Sequence, residues 1–133
     1  MSRRALREQL FKLLFRIEFN SMEEMQEQCG FFFEDSDNCA QDKDVEYIRG
    51  KFDKILEKLD EIDRLINEKA KGWTTERMGK VDLTIIRLAV YEILYDEEVP
   101  GGVAINEAVE LAKKFGQEES YGFVNGILAK FAG

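Results

Sequence analysis

Hydrophobic residues at the start of the chain recur at intervals of three and four residues. They form one apolar stripe on a helical wheel, which predicts an amphipathic helix from about Arg3 to Asn20. Charged side chains follow every fourth residue on another face, so neighbouring opposite charges can pair along the helix. The stripe consists of Leu6, Leu10, Leu13, Leu14 and Ile17, and the charged face of Arg4, Glu8, Lys12 and Arg16. Lys12 and Arg16 can pair with Glu8 and Glu18, respectively.

A second helix follows a capping signal. Ser21, with Glu24 three residues later, has the form of a capping box, and the helix it starts should run to about Phe33. The polar stretch from Glu34 to Asp42 is typical of an exposed connection.

The longest apolar seam lies in the middle of the chain, from Val45 to Ala70. Its steps of three and four residues predict a packed helix or helix pair, and a break near Asp60 is compatible with it because one helix would be long for so small a domain. Gly72 and Trp73 should end this segment. The seam is formed by Ile48, Phe52, Ile55, Leu59, Ile62 and Ile66.

A central helix with apolar residues on more than one side is expected next. Thr74 and Thr75 can cap it, and it carries Arg87. Because its apolar residues cover more than one side, we expect this helix to be buried on more than one face. The apolar positions are Val81, Ile85, Leu88, Ala89 and Ile93.

Two further helices are predicted after Pro100, Gly101 and Gly102, which stop the chain and allow a sharp reversal. One should run from Val103 to Phe115, with Gly116 as a left-handed terminating residue. Ser120 can cap the last helix, whose inward positions are Val124, Ile127, Leu128 and Phe131. The pattern predicts an all-α fold of six or seven helices, organised as one domain over residues 1–133.

Composition narrows the class of protein. The chain has 133 residues, no histidine, and neither a nucleotide-binding glycine loop nor a usual zinc-ligand set. We therefore expect a non-enzymatic protein without a metal or cofactor. No segment has the length of a membrane span or the pattern of a signal peptide, so a cytoplasmic location is expected. Cys29 and Cys39 are predicted to be reduced thiols, since a core of this size needs no disulfide.

Charge is distributed unevenly. The formal net charge is −8, yet residues 1–16 carry five basic side chains against one acidic side chain, a net charge of +4, and the rest carries −12. Phosphate affinity depends on the local field more than on the total charge. An acidic body with one basic end therefore predicts a local anion site.

Several segments then resemble one known family. Residues 103–116, VAINEAVELAKKFG, and residues 120–128, SYGFVNGIL, closely resemble the C-terminal signature of NusB proteins. The resemblance extends to residues 81–92, to Val99-Pro100 and to residues 3–8, and residues 29–44 are the least matched part. Nearly the whole chain is thus covered.

The resemblance implies two small helical bundles packed into one domain. It also implies a transcription antitermination factor that binds boxA-like single-stranded RNA together with NusE, a small-subunit ribosomal protein. Such a complex suppresses termination during ribosomal RNA synthesis and reaches RNA polymerase indirectly.

Candidate RNA-binding residues lie at the basic start and in the C-terminal signature. Three arginines in the first helical turns are disfavoured by the helix dipole, which indicates an external anion more than an ordinary solvated helix start. The signature contributes residues by resemblance, and we expect the opening helix to lie alongside the last two. The candidates are Arg3, Arg4, Arg7, Lys113, Lys114, Ser120, Phe123 and Asn125.

Alternatives stay open for several of these positions. Lys113 and Lys114 also suit the negative end of a helix dipole, and Phe123 can stack on a base or belong to the core. Gly126 is expected to permit close helix approach, and Asn106 to make a buried hydrogen bond. Four further positions are predicted as core: Ile105, Val109, Val124 and Ile127.

A partner site for NusE is implied on the central helix and neighbouring segments. Phe15, Glu76 and Asp82 resemble family contacts there, and acidic residues suit a basic ribosomal protein. Ordinary surface acids are the alternative for Glu76 and Asp82.

Two other functions compete with RNA binding. The chain could be a protein-only adaptor whose acidic body binds a basic partner, or an accessory domain related to those of RNA methyltransferases. The sequence leaves open whether the chain is a monomer or a homodimer.

Overall fold

Six α-helices follow one another in the computed structural model, which describes residues 1–35 and 41–132. No strand occurs among these residues. The all-α prediction and its count of six or seven helices are therefore confirmed. The helices are α1 (Arg3–Phe15), α2 (Met25–Glu34), α3 (Asp42–Lys69), α4 (Lys80–Tyr95), α5 (Gly101–Phe115) and α6 (Ser120–Ala129), and a short 3₁₀ helix, Arg16–Glu18, follows α1.

The chain divides into two compact units, Met1–Leu56 and Glu57–Gly133. The long helix α3 contributes to both. The prediction of one domain over residues 1–133 stays a prediction.

The first unit is built around the apolar stripe of α1. Its buried side chains include the predicted Leu10, Leu13 and Leu14, together with Phe32 and Phe52. Burial of such side chains contributes roughly 1.5–3 kcal/mol each to stability. The helical periodicity of the sequence therefore identified the inward face of this unit.

A side-chain cap fixes the start of α1, and side-chain hydrogen bonds shape the turn before α2. The Ser2 hydroxyl accepts from the Ala5 N–H at 3.1 Å, satisfying one unpaired donor of α1. The predicted capping box is present, because the Ser21 N–H donates to Glu24 Oε1 at 3.1 Å and the Glu24 N–H donates to Ser21 Oγ at 3.3 Å. The Ser21 N–H and the Ser21 hydroxyl, which also donates to Glu24 Oε1 at 2.8 Å, together hold the pKa of the Glu24 carboxyl below its usual value. Helix α2 begins only at Met25, with Glu24 as an N-cap that makes no side-chain hydrogen bond, so the box forms the turn before α2 and does not cap it.

Charged side chains make contacts within α1 and between its C-terminal end and α2. Lys12 lies 3.8 Å from Glu8, as predicted. Arg16 donates to the Gln28 side chain at 3.1 Å, and its guanidinium lies 5.3 Å from the Phe32 ring centroid. This contact joins the end of α1 to α2.

The second unit packs α4, α5 and α6 against one another. Arg87 on α4 forms a bidentate pair with Asp63 on α3, with N–O distances of 2.9 and 2.8 Å. The Tyr95 hydroxyl donates to Glu61 Oε2 at 2.6 Å, which raises the pKa of Tyr95 to about 12. Two polar ties therefore join α4 to the C-terminal half of α3.

Several helix ends differ from the predictions. Helix α3 runs through Asp60 without a break. Gly72 has a φ of +85° and turns the chain after α3, as expected at its predicted end. Thr74 and Thr75 do not cap the next helix, because α4 begins only at Lys80, with Gly79 as its N-cap. The Thr75 N–H instead donates to Asn67 Oδ1 at 2.8 Å.

The start of α5 and the conformation of Gly116, which follows its last residue, also differ from the predictions. Gly101 and Gly102 form the first turn of α5 and do not precede it. Gly116 is extended, with a φ of −90°, so the left-handed conformation predicted for it is wrong. A Cβ at this position would lie 2.6 Å from Ser120 Cβ and 2.7 Å from the Ala112 carbonyl oxygen. Glycine is needed here for close approach.

Some interior assignments were wrong as well. Asn106 is exposed and makes no buried hydrogen bond, and a Cβ at Gly126 would meet nothing within 4 Å. Val124 and Ile127 are buried as predicted, whereas Ile105 and Val109 are only half-buried. The inward face of α5 is instead formed by Ala104, Ala108, Leu111 and Ala112.

Cys29 is a free, buried thiol, and its burial raises the pKa of the thiol above its usual value. Cys39 lies outside the described residues, as does most of the predicted connection from Glu34 to Asp42. Among residues 1–35 and 41–132, no helix is long and apolar enough to cross a membrane.

Candidate nucleic-acid interface

The basic start of the chain lies on the first turns of α1. Arg3 and Arg4 are exposed and Arg7 is half-buried. Helix α1 has no acidic residue in its first turn, so the arginines add to the positive end of the helix dipole. The N-terminal ammonium lies 3.5 Å from Asp44 Oδ2 in the same unit. The three predicted arginines thus share one short basic segment of α1.

An aromatic pocket of about 520 Å³ opens in the second unit. Trp73 and Phe123 meet in its wall, with their ring centroids 5.3 Å apart and their planes at 69°. Trp73 is 45% exposed, so its ring is accessible to a ligand. The lining residues are Trp73, Met78, Gly79, Lys80, Val81, Asp82, Phe115, Gly116, Gln117, Glu119, Ser120 and Phe123.

Charges of both signs border this aromatic pocket. Lys80 lines it, and the Arg77 guanidinium lies 5.6 Å from the Trp73 ring centroid. Asp82 and Glu119 also line it. The pocket can therefore hold a planar ring against aromatic faces, with cations near an attached phosphate and carboxylates near hydrogen-bond donors.

Ser120 has a structural role in the wall of the aromatic pocket. It is buried, and its hydroxyl accepts from the Gln117 N–H at 2.9 Å. Glu119, whose side chain makes no capping hydrogen bond, is the N-cap of α6, so the predicted cap at Ser120 is wrong. The Ser120 hydroxyl closes the turn between α5 and α6 and thereby positions Phe123 one turn later.

The remaining predicted RNA residues of the second unit lie at the end of α5 and on α6. Lys113 and Asn125 both line a groove between these helices. The Lys114 ammonium lies 5.5 Å from the Phe115 ring centroid. The structure thus brings Ser120 with Phe123 and Lys113 with Asn125, in two different depressions of one unit. Their assignment to RNA, like that of the arginines on α1, stays a prediction.

Sequence reasoning missed the other half of the aromatic pocket. Trp73, Arg77, Lys80 and Phe115 were not among the candidates, although Trp73 is the only tryptophan and follows a predicted helix end. Because Trp73 and Phe123 are fifty positions apart in the sequence, no periodicity relates them. A single tryptophan beside a turn-forming glycine was the signal available in the sequence.

The three predicted partner residues lie in different surroundings. Phe15 is half-buried between Phe11 and Phe19, with ring centroids 6.2 and 5.2 Å away. Glu76 is exposed in the turn before α4, and Asp82 lies in the first turn of α4, in the wall of the aromatic pocket. Their assignment to a protein partner stays a prediction.

Comparison with known proteins identifies the fold and the family. The model of the NusB family matches residues 4–133. The chain belongs to the NusB family. It is 53% identical over 130 residues to the transcription antitermination protein NusB of Lachnoclostridium phytofermentans, a match that covers 98% of each chain.

Solved NusB structures share this fold. The chain superposes on T. maritima NusB with a TM-score of 0.88 at 36% identity, covering 99% of this chain and 91% of the other. It also matches a structure of the antitermination factors NusB and NusE in complex with dsRNA, with a TM-score of 0.78 at 26% identity, covering 98% and 95% of the two chains. The resemblance inferred from the C-terminal signature is confirmed.

Proposed function

We propose that this NusB-family chain is a non-enzymatic transcription antitermination factor. It binds boxA-like single-stranded RNA together with NusE and so supports transcription of ribosomal RNA. This role places it in the cytoplasm, in contact with the RNA polymerase antitermination complex through its partners.

The aromatic pocket is the observation that carries the proposal. Proteins recognise single-stranded RNA by stacking unpaired bases on aromatic side chains and holding the phosphates with cations. Trp73 and Phe123 provide the stacking surfaces, and Lys80 and Arg77 the positive charge. Asp82 and Glu119 can accept hydrogen bonds from the amino groups of a base, which would let the pocket distinguish among bases.

The arginines at the start of α1 supply a second contact. Their charge attracts the RNA backbone without reading its sequence. The basic segment would contribute affinity for the RNA backbone, and the aromatic pocket would contribute selectivity among bases. NusE adds its own surface, and two proteins held on one short RNA bind more tightly than either alone.

The relatives favour a role in transcription antitermination and the binding of RNA together with NusE. The matched curated protein is named a transcription antitermination protein, and a matched structure holds a NusB with NusE and dsRNA. Acidic side chains such as Glu76 suit a basic ribosomal partner, and the exposed aromatic residue Phe19 beside Phe15 offers it an apolar contact.

The test is a titration of the chain with boxA-like RNA and with a mutated control RNA, each with and without NusE. We expect selective binding of the boxA-like RNA that NusE strengthens. Trp73, as the only tryptophan, gives an internal signal, since a base stacked in the pocket should quench its fluorescence. Capture of NusE without RNA binding in any combination would instead favour a protein-only adaptor.

One substitution tests the aromatic pocket itself. Phe123→Ala keeps Trp73 as the reporter and should weaken RNA binding by about 1–3 kcal/mol, the usual contribution of one base–aromatic stack. Phe31→Ala is the matched control, because Phe31 is an exposed phenylalanine on α2. Equal affinities and equal quenching for the two variants would remove the pocket from the RNA site.

A further inference from the structure

A groove of about 420 Å³ runs between α5 and α6. Its α6 wall is formed by Tyr121, Gly122 and Asn125, whereas Ser120 and Phe123 on the same helix line the aromatic pocket. Residues at positions i and i+4 share a helix face, so Tyr121 and Asn125 look out on the same side. The groove is therefore separate from the aromatic pocket, although one helix borders both.

Tyr121 gives the groove an accessible aromatic face. Its side chain is 48% exposed, and the Lys113 ammonium lies 5.6 Å from its ring centroid. Ile105 and Val109 of α5, each half-buried, also line the groove. A planar ring entering here would meet an aromatic surface, two aliphatic side chains and one cation.

Two amide side chains complete the lining. Asn106 of α5 and Asn125 of α6 are both exposed, and each offers a hydrogen-bond donor and an acceptor. No carboxylate is among the residues that line this groove in the described part of the chain. Glu110 lies 3.7 Å from Lys113 as an exposed ion pair, which a phosphate can displace at little cost.

We propose that this groove is a second nucleotide subsite. An unpaired RNA base stacks on Tyr121, the amides of Asn106 and Asn125 contact its edge, and Lys113 binds the adjacent phosphate. The proposal rests on the RNA-binding function above and deepens it, since it gives Tyr121 and Asn106 roles that neither periodicity nor the signature assigned. Helix α6 would then separate two base sites, so the RNA read by this unit crosses that helix.

The lining favours a nucleotide over a second copy of this chain. Seating an apolar protein surface on the groove would desolvate Lys113 and two amides without hydrogen-bond partners, which is costly. A nucleotide supplies partners for all three groups together with a ring for Tyr121.

The experiment measures binding of a fluorescently labelled, boxA-like single-stranded RNA to the full chain by anisotropy. Tyr121→Ala should weaken binding about fivefold to 150-fold, the range that corresponds to ~1–3 kcal/mol for one base–aromatic stack. Tyr121→Phe keeps the ring and should bind like the unchanged chain. Tyr47→Ala is the matched control, because Tyr47 is 44% exposed and also lies beside a lysine, with Lys51 Nζ 5.8 Å from its ring centroid.

A series of RNAs with single abasic positions locates the stacked base. At one position the abasic RNA should lose affinity for the unchanged chain but lose nothing further for Tyr121→Ala, as expected when both changes remove the same contact. The same series with Phe123→Ala should identify a different RNA position, because Phe123 would stack on another base.

The outcomes separate the two proposals. If Tyr121→Ala binds like the unchanged chain while Phe123→Ala is weakened, the second subsite is wrong and the RNA-binding function stands. If Tyr121→Phe loses as much affinity as Tyr121→Ala, stacking on the ring is wrong. If the unchanged chain binds none of these RNAs, with or without NusE, the proposed function fails and the subsite with it. Weaker self-association of Tyr121→Ala in sedimentation, without any loss of RNA affinity, would make the groove an interface between copies.

Discussion

Single residues show how closely α5 and α6 approach at the edge of the aromatic pocket. Position 116 must be glycine, because the Ala112 carbonyl oxygen and Ser120 occupy the space that a Cβ would fill. The Ser120 hydroxyl, bonded to the Gln117 N–H, fixes the same turn. The geometry around Phe123 therefore depends on two small residues in the wall of the aromatic pocket.

Gly116→Ala should destabilise the chain by about 1–3 kcal/mol, since a backbone carbonyl and a buried side chain must both move. Chemical denaturation measures this free energy of unfolding. The matched control is Gly126→Ala on α6, where a Cβ meets nothing and alanine should stabilise the helix by roughly 0.5–1 kcal/mol. Shifts of the same sign and size at both glycines would contradict the close-approach argument.

Tyr95 makes stability depend on pH in the alkaline range. Its hydroxyl donates to Glu61, which raises its pKa from 10.0 to about 12 in the folded chain. The protonated form is favoured by folding, so this contribution is complete below pH 10 and is lost as the pH rises towards 12.

The difference in unfolding free energy between the unchanged chain and Tyr95→Phe should therefore shrink between pH 10 and 12. Denaturation at several pH values measures it, and ultraviolet absorbance follows tyrosinate formation directly. A constant difference across this range would show that the hydrogen bond is absent in solution. Tyr47→Phe controls for the ordinary titration of an exposed tyrosine.

At the scale of helices, α4 is held by polar ties as well as by its apolar faces. The pair between Arg87 and Asp63 is bidentate and mostly shielded from water, with side-chain exposures of 13% and 26%. Charge-assisted pairs of this geometry are stronger than single surface ion pairs. The pair fixes how α4, which carries Asp82 in its first turn, lies against the end of α3.

Arg87→Met should destabilise the chain by about 1–3 kcal/mol, because it leaves Asp63 without its charged partner in a partly buried position. Asp63→Asn in the same chain removes the uncompensated charge and should recover part of the loss. The double-mutant cycle, measured by thermal unfolding, gives the coupling energy. The exposed pair of Arg64 and Glu68 is the control, and Arg64→Met should cost well under ~1 kcal/mol. If the changes in unfolding free energy at Arg87 and Asp63 were strictly additive, the two side chains would not be coupled.

For the whole molecule, the net charge of −8 and the proposed RNA ligand have the same sign. Binding must then depend on local positive charge at the start of α1, at Lys80 and Arg77, and at Lys113. The long-range repulsion is screened by salt, whereas contacts with phosphates release counterions. The two effects oppose one another, so the salt dependence reports which cations touch the RNA.

Replacing Arg3, Arg4 and Arg7 by alanine should weaken RNA binding and lower the slope of log affinity against log salt by about 2, the value for three lost contacts with a single strand. The helical content should not change, which circular dichroism checks. Lys43, Lys54 and Lys71 replaced together form the matched control, because they are exposed and change the total charge equally. Equal slopes for both triple variants would assign the effect to total charge and remove the arginines from the interface.

The sequence by itself determined the helices, the charge asymmetry and the family. Helix positions follow from local periodicity and capping, which is why the stripe of α1 and the box at Ser21 and Glu24 appear as predicted. The family followed from a long signature near the C-terminus, which specifies residue types that periodicity alone leaves free.

Tertiary structure alone decided which faces meet. Periodicity shows that a residue is on an apolar side, but not whether a neighbouring helix covers it, so Ile105, Val109 and Asn106 were placed too deep. Trp73 and Phe123 share a pocket because the turn before α4 and the start of α6 come together in the packed unit. Likewise position 116 requires glycine because the Ala112 carbonyl and Ser120 fill the space of a Cβ. Contacts between residues distant in the chain depend on packing, which local sequence does not encode position by position.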